Sequence, residues 1–202
     1  MNMLRKFALV SALFGGLAFG TGASAGPLPT YNIVVGNGAA ATAYFVGFSA
    51  GDTDNVSVVA GLANFFINQS TPVGTSAALG AFGNGVEIEF AMTDLSVPNT
   101  FFSGAGTRNC ASDCNVHANV TLNIADIVGL LPASYAYAAT LPAGTVFVGF
   151  EDRAGNQSDF DYNDLVFAVV NARPLNQVPE PASLALLGTG LLLLARSRRK
   201  RS

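Results

Sequence analysis

Five carboxylates crowd into fourteen residues of this chain: Glu151, Asp152, Asp159, Asp161 and Asp164. Within that stretch only Arg153 offsets them. Like charges packed this closely repel unless a cation sits among them. With Asn163 the set offers hard oxygen donors and no His or Cys, which suits Ca2+ rather than Zn2+. Asp159, Asp161 and Asn163 alternate with Phe160 and Tyr162. In extended backbone the oxygens fall on one side and the rings on the other, so the rings anchor the segment while the oxygens converge. The expected ligands are Asp159, Asp161, Asn163 and Asp164, with Glu151 or Asp152 supplied from a preceding strand. The Asp-x-Asp-x-Asn opening is not an EF-hand, because its sixth position is Asp164 instead of Gly and its twelfth is Val170 instead of Glu. The competing reading is a solvated acidic loop held by Asx-turns. A second acidic patch, Asp52-Thr53-Asp54-Asn55, reads as a turn.

Cys110 and Cys114 are the only cysteines, and His117 is the only histidine. In an oxidising compartment the two thiols are expected to form a local disulfide, which pins a small loop. The alternative, zinc held by Cys110, Cys114 and His117, lacks a fourth ligand. For catalysis the remaining option is a carboxylate pair, Glu87 or Glu89 with Glu151. Glu87 and Glu89, however, share one face of an alternating segment, which is ordinarily its wet side. The chain is expected not to be an enzyme.

The elements that position these groups read as β. Short apolar runs at 31–35, 42–48, 56–62, 65–68, 86–92, 117–124, 135–141, 146–151 and 165–171 are separated by Gly-Asn-Gly, Gly-Asp and Pro-Ala-Gly turn signals. One short helix is expected at 124–131, and residues 172–177 read as a linker. Many short strands with Gly-rich turns predict an all-β chain built as a single antiparallel β-sandwich or jelly-roll-like domain over residues 26–175. That span carries twelve carboxylates against three arginines and no lysine, so it is net negative by nine. Such a surface repels nucleic acid and favours cations.

Targeting segments flank the domain. Arg5 and Lys6 precede an apolar run over 7–19, and Ala23-Ser24-Ala25 supplies small residues for cleavage. Residues 1–25 therefore read as a signal peptide, helical in its apolar part, removed by signal peptidase before Gly26. At the other end, Val178-Pro179-Glu180-Pro181 leads into an apolar stretch over 182–195 and a basic tail over 196–202. Fourteen residues are short for a membrane span, but the cationic tail marks a cytoplasmic end. Prolines 179 and 181 keep the intervening segment extended, as a protease cleft requires.

Pro-Glu-Pro, a short apolar helix and a basic terminus, in that order over residues 176–202, resemble the PEP-CTERM sorting signal. The resemblance implies a transient transmembrane helix at 182–195 and processing near Pro179, Glu180 and Pro181 by the membrane peptidase exosortase. It also implies delivery through the inner membrane to the cell surface or extracellular matrix, in biofilm or exopolysaccharide surroundings. Separately, residues 141–170 resemble the C-terminal part of domain-of-unknown-function family 4114 through Gly149, Glu151, Asp152, Ser158, Asp159, Asp161, Tyr162, Asn163, Asp164, Val166 and Phe167. That family supplies no reaction. The expected function is a structural or adhesive surface protein that binds Ca2+. The alternative is a Ca2+-dependent carbohydrate-binding module, for which Tyr44, Tyr135, Tyr137 and Tyr162 are the available platforms in a chain without Trp.

Overall fold

The computed structural model describes residues 31–177. The expected signal helix with Ala23 and Ala25, and the sorting segment with Pro179, Glu180, Pro181 and the 182–195 helix, lie outside the described residues. Among the described residues no helix is long and apolar enough to cross a membrane.

In chain order the strands are β1 (Tyr31–Gly36), β2 (Ala40–Gly47), β3 (Asp54–Val58), β4 (Phe66–Ile67), β5 (Ser76–Ala81), β6 (Phe90–Asp94), β7 (Asn99–Phe102) and β8 (Ala118–Thr121). After β8 come the helix α1 (Pro132–Ala138) and then β9 (Val146–Phe150), β10 (Leu165–Val170) and β11 (Ala172–Gln177). They form a five-stranded sheet ordered β5-β2-β10-β9-β8, a four-stranded sheet ordered β4-β3-β6-β7 and a β1-β11 ribbon. Every pairing among the described residues is antiparallel, and with α1 the one α-helix there, the described fold is all-β.

One apolar core draws on both larger sheets. Phe45, Phe150 and Phe167 from the five-stranded sheet meet Phe66, Phe90, Met92 and Phe101 from the four-stranded one. The Phe167 ring lies edge-on to Phe90, with centroids 4.9 Å apart, and edge-on to Phe65 at 5.8 Å. This is the preferred geometry for aromatic pairs. On the outer face of β9 and β10 a second cluster forms, in which Val46, Phe147, Val166 and Ala168 are covered by Ile127, Leu130 and Ala138. Both central strands are thus buried on two faces, which accounts for their unbroken apolar sequences, Val-Phe-Val-Gly-Phe and Leu-Val-Phe-Ala-Val-Val.

Four expectations are corrected. Residues 135–141 are not a strand, because α1 occupies 132–138. Pro132 opens it at a position where the missing N–H costs nothing, and the Tyr135 hydroxyl ties it to the Ile127 carbonyl at 2.8 Å. The helix expected at 124–131 shrinks to a 3-10 turn, Ile124–Asp126, whose cap is the Asn123 side chain. Residues 172–177 are not a linker but the strand β11. A two-stranded ribbon leaves β11 one unpaired edge, the place where a strand accommodates Pro174. In the 86–92 run, sheet pairing starts only at Phe90, and Glu87 makes one isolated bridge to Val35. Two strands, β5 and β7, were not expected. β5 is Ala/Gly-rich and carries little strand propensity.

Truncating Phe167 to Ala would remove the ring shared by Phe65, Phe66, Phe90 and Phe150. Phe167→Ala should cost about 3–5 kcal/mol. A urea titration should show this as a lower midpoint at unchanged slope.

Candidate functional site

The acidic stretch is the excursion between β9 and β10. The two strands end their pairing at Phe150 opposite Leu165, so Glu151, Asp152, Asn163 and Asp164 stand together at the base of the excursion. The base is closed by hydrogen bonds. The Asp152 N–H donates to Asp164 Oδ2 at 2.8 Å, and the Asp164 N–H donates to the Phe150 carbonyl at 3.2 Å. Gly149 makes the return possible, since a Cβ there would collide with the carbonyl oxygen of Tyr162. Glu151 is held from outside the loop, its N–H donating to the His117 carbonyl at 3.0 Å.

Two carboxylate triads result. Glu151, Asp152 and Asp164 each offer an oxygen within 4.8 Å of the others, and Glu151, Asp159 and Asp161 do the same. Glu151 belongs to both. It is buried, as are Asp152 and Asp164, and its Oε2 has no hydrogen-bond partner. A buried acceptor left unmatched is costly, and a charged one more so.

Burial is the largest influence on each member. With added repulsion from Asp159, Asp161 and Asp152, and against the pull of the Ser158 hydroxyl, it pushes Glu151 up to about 7. Burial, with Asp152, Glu151 and Asp54 nearby, pushes Asp164 up to about 8 against the Asp152 N–H. Burial and Asp52 raise Asp152 to about 6, with Arg153 opposing. Asp161 is also raised, chiefly by burial.

The loop does not run extended as its alternating pattern suggests. Phe160 and Tyr162 adopt left-handed backbone, with φ of 55° and 58°. For bulky residues this conformation costs about 1–3 kcal/mol each and is kept only where surroundings dictate it. Tyr162 does anchor the loop, its hydroxyl donating to the Val116 carbonyl at 3.3 Å, whereas Phe160 is exposed. Asn163 acts as a strut. Its amide donates to the Val128 carbonyl at 2.9 Å and to Asp161, which fixes the Asp161 carboxylate.

Cys110 and Cys114 are joined as a disulfide, leaving no thiolate for zinc. Inside that small loop Asp113 accepts from the Gly155 N–H at 2.7 Å, so the bridged loop grips the acidic excursion. Partial burial would raise Asp113, but hydrogen bonds from Gly155, Asn115 and His117 outweigh it and hold the carboxyl well below its usual range. His117 is buried, stacks on Phe101 at 4.0 Å and directs its nitrogens to Asp113 and the Glu151 carbonyl. Both ring nitrogens are therefore engaged away from any serine. The expectation that His117 has no Gly-x-Ser-x-Gly partner in the chain is corrected by the run Gly47-Phe48-Ser49-Ala50-Gly51, which has nucleophile-elbow spacing. It leaves β2 for another strand rather than a helix, and the Ser49 N–H is bound to the Asn163 carbonyl at 2.8 Å.

Glu87 and Glu89 lie away from Glu151's triads and share Arg108, at 2.6 and 3.2 Å. Of the tyrosines, Tyr44, Tyr135 and Tyr137 pack against the second apolar cluster. The patch at 52–55, expected as a turn, is corrected in part. Asp54 opens β3 and is fully buried, with Asn68 donating to it at 2.6 Å. Asp94, which also escaped notice in the sequence, ends β6 in phase with Phe90 and Met92. That period-two placement on a buried face was the available signal.

Residues 177–200 match the PEP-CTERM protein-sorting motif. The motif implies export and exosortase processing through a membrane-anchored intermediate. No curated protein and no solved structure matches the chain.

The raised carboxyls dictate how stability depends on pH. Each holds a proton in the folded state that the unfolded chain would release. Their contribution is complete below about pH 4 and is lost as pH rises through the folded values. Those values are about 6 for Asp152, about 7 for Glu151 and about 8 for Asp164. In chelator, the melting temperature followed by scanning calorimetry should therefore fall between about pH 5 and 8. A Tm that rises over that interval would contradict the assignment.

Proposed function

We propose that this chain is an exosortase-sorted β-sandwich protein of the cell surface or extracellular matrix, which binds Ca2+ in the excursion between β9 and β10 and acts by binding rather than catalysis. Support for its destination comes from the sorting motif at 177–200. Signal peptidase and exosortase are its processing partners, the inner membrane holds it transiently through 182–195, and exopolysaccharide or other surface proteins are its surroundings. The likeness of residues 141–170 to family 4114 rests on the residues alone, since the matched motif does not reach them.

One observation carries the Ca2+ reading. The Glu151 carboxylate is buried at the junction of two triads with an oxygen that no protein group satisfies. A hard divalent cation supplies the missing partner and removes the repulsion that raises Glu151, Asp152 and Asp164. Glu151, Asp152, Asp159, Asp161 and Asp164 are the carboxylate ligands, with Asn163 steadying Asp161. An affinity of about 10⁻⁴–10⁻³ M is in keeping with an extracellular module. The pairing of Glu87 and Glu89 with Arg108 supports the non-catalytic reading, because it ties up the carboxylates that a hydrolytic pair would need.

Two measurements test this. Isothermal titration of the exported protein with Ca2+ should give heat that Asp161→Ala weakens by about tenfold or more, a loss of roughly 1.4 kcal/mol. Absence of heat in the unaltered protein would end the Ca2+ reading. Deletion of residues 178–202 should change where the protein is found on fractionation, and an unchanged destination would remove the sorting argument.

A further inference from the structure

Asp54 and Asp94 stand directly opposite each other where β3 pairs with β6. Asp54 is in phase with the buried Val56 and Val58, and Asp94 with the buried Phe90 and Met92. Both carboxyls therefore point to the inward face on the last rung of the four-stranded sheet, and both residues are 0% exposed. Side chains so paired have Cβ atoms about 4.5–5.5 Å apart, and like charges there repel.

Each carboxylate spends one oxygen on protein donors. Asp54 Oδ2 accepts from the Asn68 amide at 2.6 Å, and Asp94 Oδ1 accepts from the N–H groups of Ser96 and Val97 at 2.7 and 3.0 Å. The remaining oxygens, Asp54 Oδ1 and Asp94 Oδ2, are buried with no hydrogen-bond partner. Arg153 does not resolve this. Its guanidinium binds Asp52 and lies 3.7 Å from Asp152, and it gives neither Asp54 nor Asp94 a hydrogen bond. Asp152, delivered from the end of β9 in the other sheet, adds a third negative charge. Burial first, then Asp152, Asp94 and Asp52, push the Asp54 carboxyl up to about 8 against the pull of Arg153.

We infer that Asp54 and Asp94 bind a second hard divalent cation through their two unpartnered oxygens. This goes beyond the loop site proposed above. Its two defining ligands lie on the four-stranded sheet, outside the excursion, and their orphaned oxygens exist whether or not the loop binds an ion. The cation joins the ends of β3 and β6 on their last shared rung. A shared proton is the rival occupant of the rung, and it predicts no dependence on Ca2+.

The test counts ions on the exported protein in Ca2+ by native mass spectrometry, for the unaltered chain, the Asp54→Asn/Asp94→Asn double variant and Asp161→Ala. Two ions on the unaltered chain and one on each variant support both sites. One ion kept by Asp161→Ala and lost from the double variant supports the rung site and removes the loop site. One ion kept by the double variant and lost from Asp161→Ala overturns the rung site and leaves the loop site standing. No ion on any form overturns both. Folding of the double variant is checked by its melting temperature. In chelator it should melt above the unaltered protein, because the repulsion is gone, and in Ca2+ the order should reverse. Equal responses of the two proteins to Ca2+ would overturn the inference and leave the shared proton.

Discussion

Burial of carboxyl groups where two sheets meet is the constraint around which the rest of this domain is arranged. Glu151, Asp152 and Asp164 come from the inner ends of β9 and β10, and Asp54 and Asp94 from the ends of β3 and β6. All five are buried, and three carboxylate oxygens among them lack any protein partner. An aromatic core fills the space between the sheets, and the charged group lies at the ends of the strands that enclose it. The protein has accepted an electrostatic cost at one place in an otherwise well-packed interior. Buried carboxyls perturbed in this way concentrate at functional sites.

The surroundings hold the carboxylates in place against their repulsion. Gly149 lets the returning chain cross close over β9, the Asp152 and Asp164 backbones lock the base, and Asn163 braces Asp161 against the Val128 carbonyl. The disulfide loop contributes through Asp113, which grips Gly155 and orients His117. Residues far apart in the chain thus fix one loop, and the left-handed backbone at Phe160 and Tyr162 is a consequence of that over-determination.

Much of this was legible in the chain, and the reasons for the rest are physical. The density of Asp and Glu after residue 150 announced the acidic excursion, and the unbroken apolar runs announced β9 and β10. The run at 135–141 looked like a strand because aromatic and small residues carry similar weight in a strand and in a short helix packed on a sheet. Pro132 was the decisive residue, and it lies outside that run. Asp54 and Asp94 were missed because polar residues near turn signals read as turns, whereas their inward phase emerges only once the strands are aligned. β11 was missed because Pro174 reads as a breaker, although a ribbon edge tolerates it.

The β1–β11 ribbon carries a further implication for how the molecule is made. Tyr31 pairs with Gln177, and Gln177 is also the first residue of the matched sorting motif. The last strand of the fold and the first residue of the address label therefore overlap, with no slack between them. Closure of the ribbon joins the first described strand to the last, so β1 lacks its strand partner until β11 is in place. The sorting motif therefore begins on the strand that completes the two-stranded clasp.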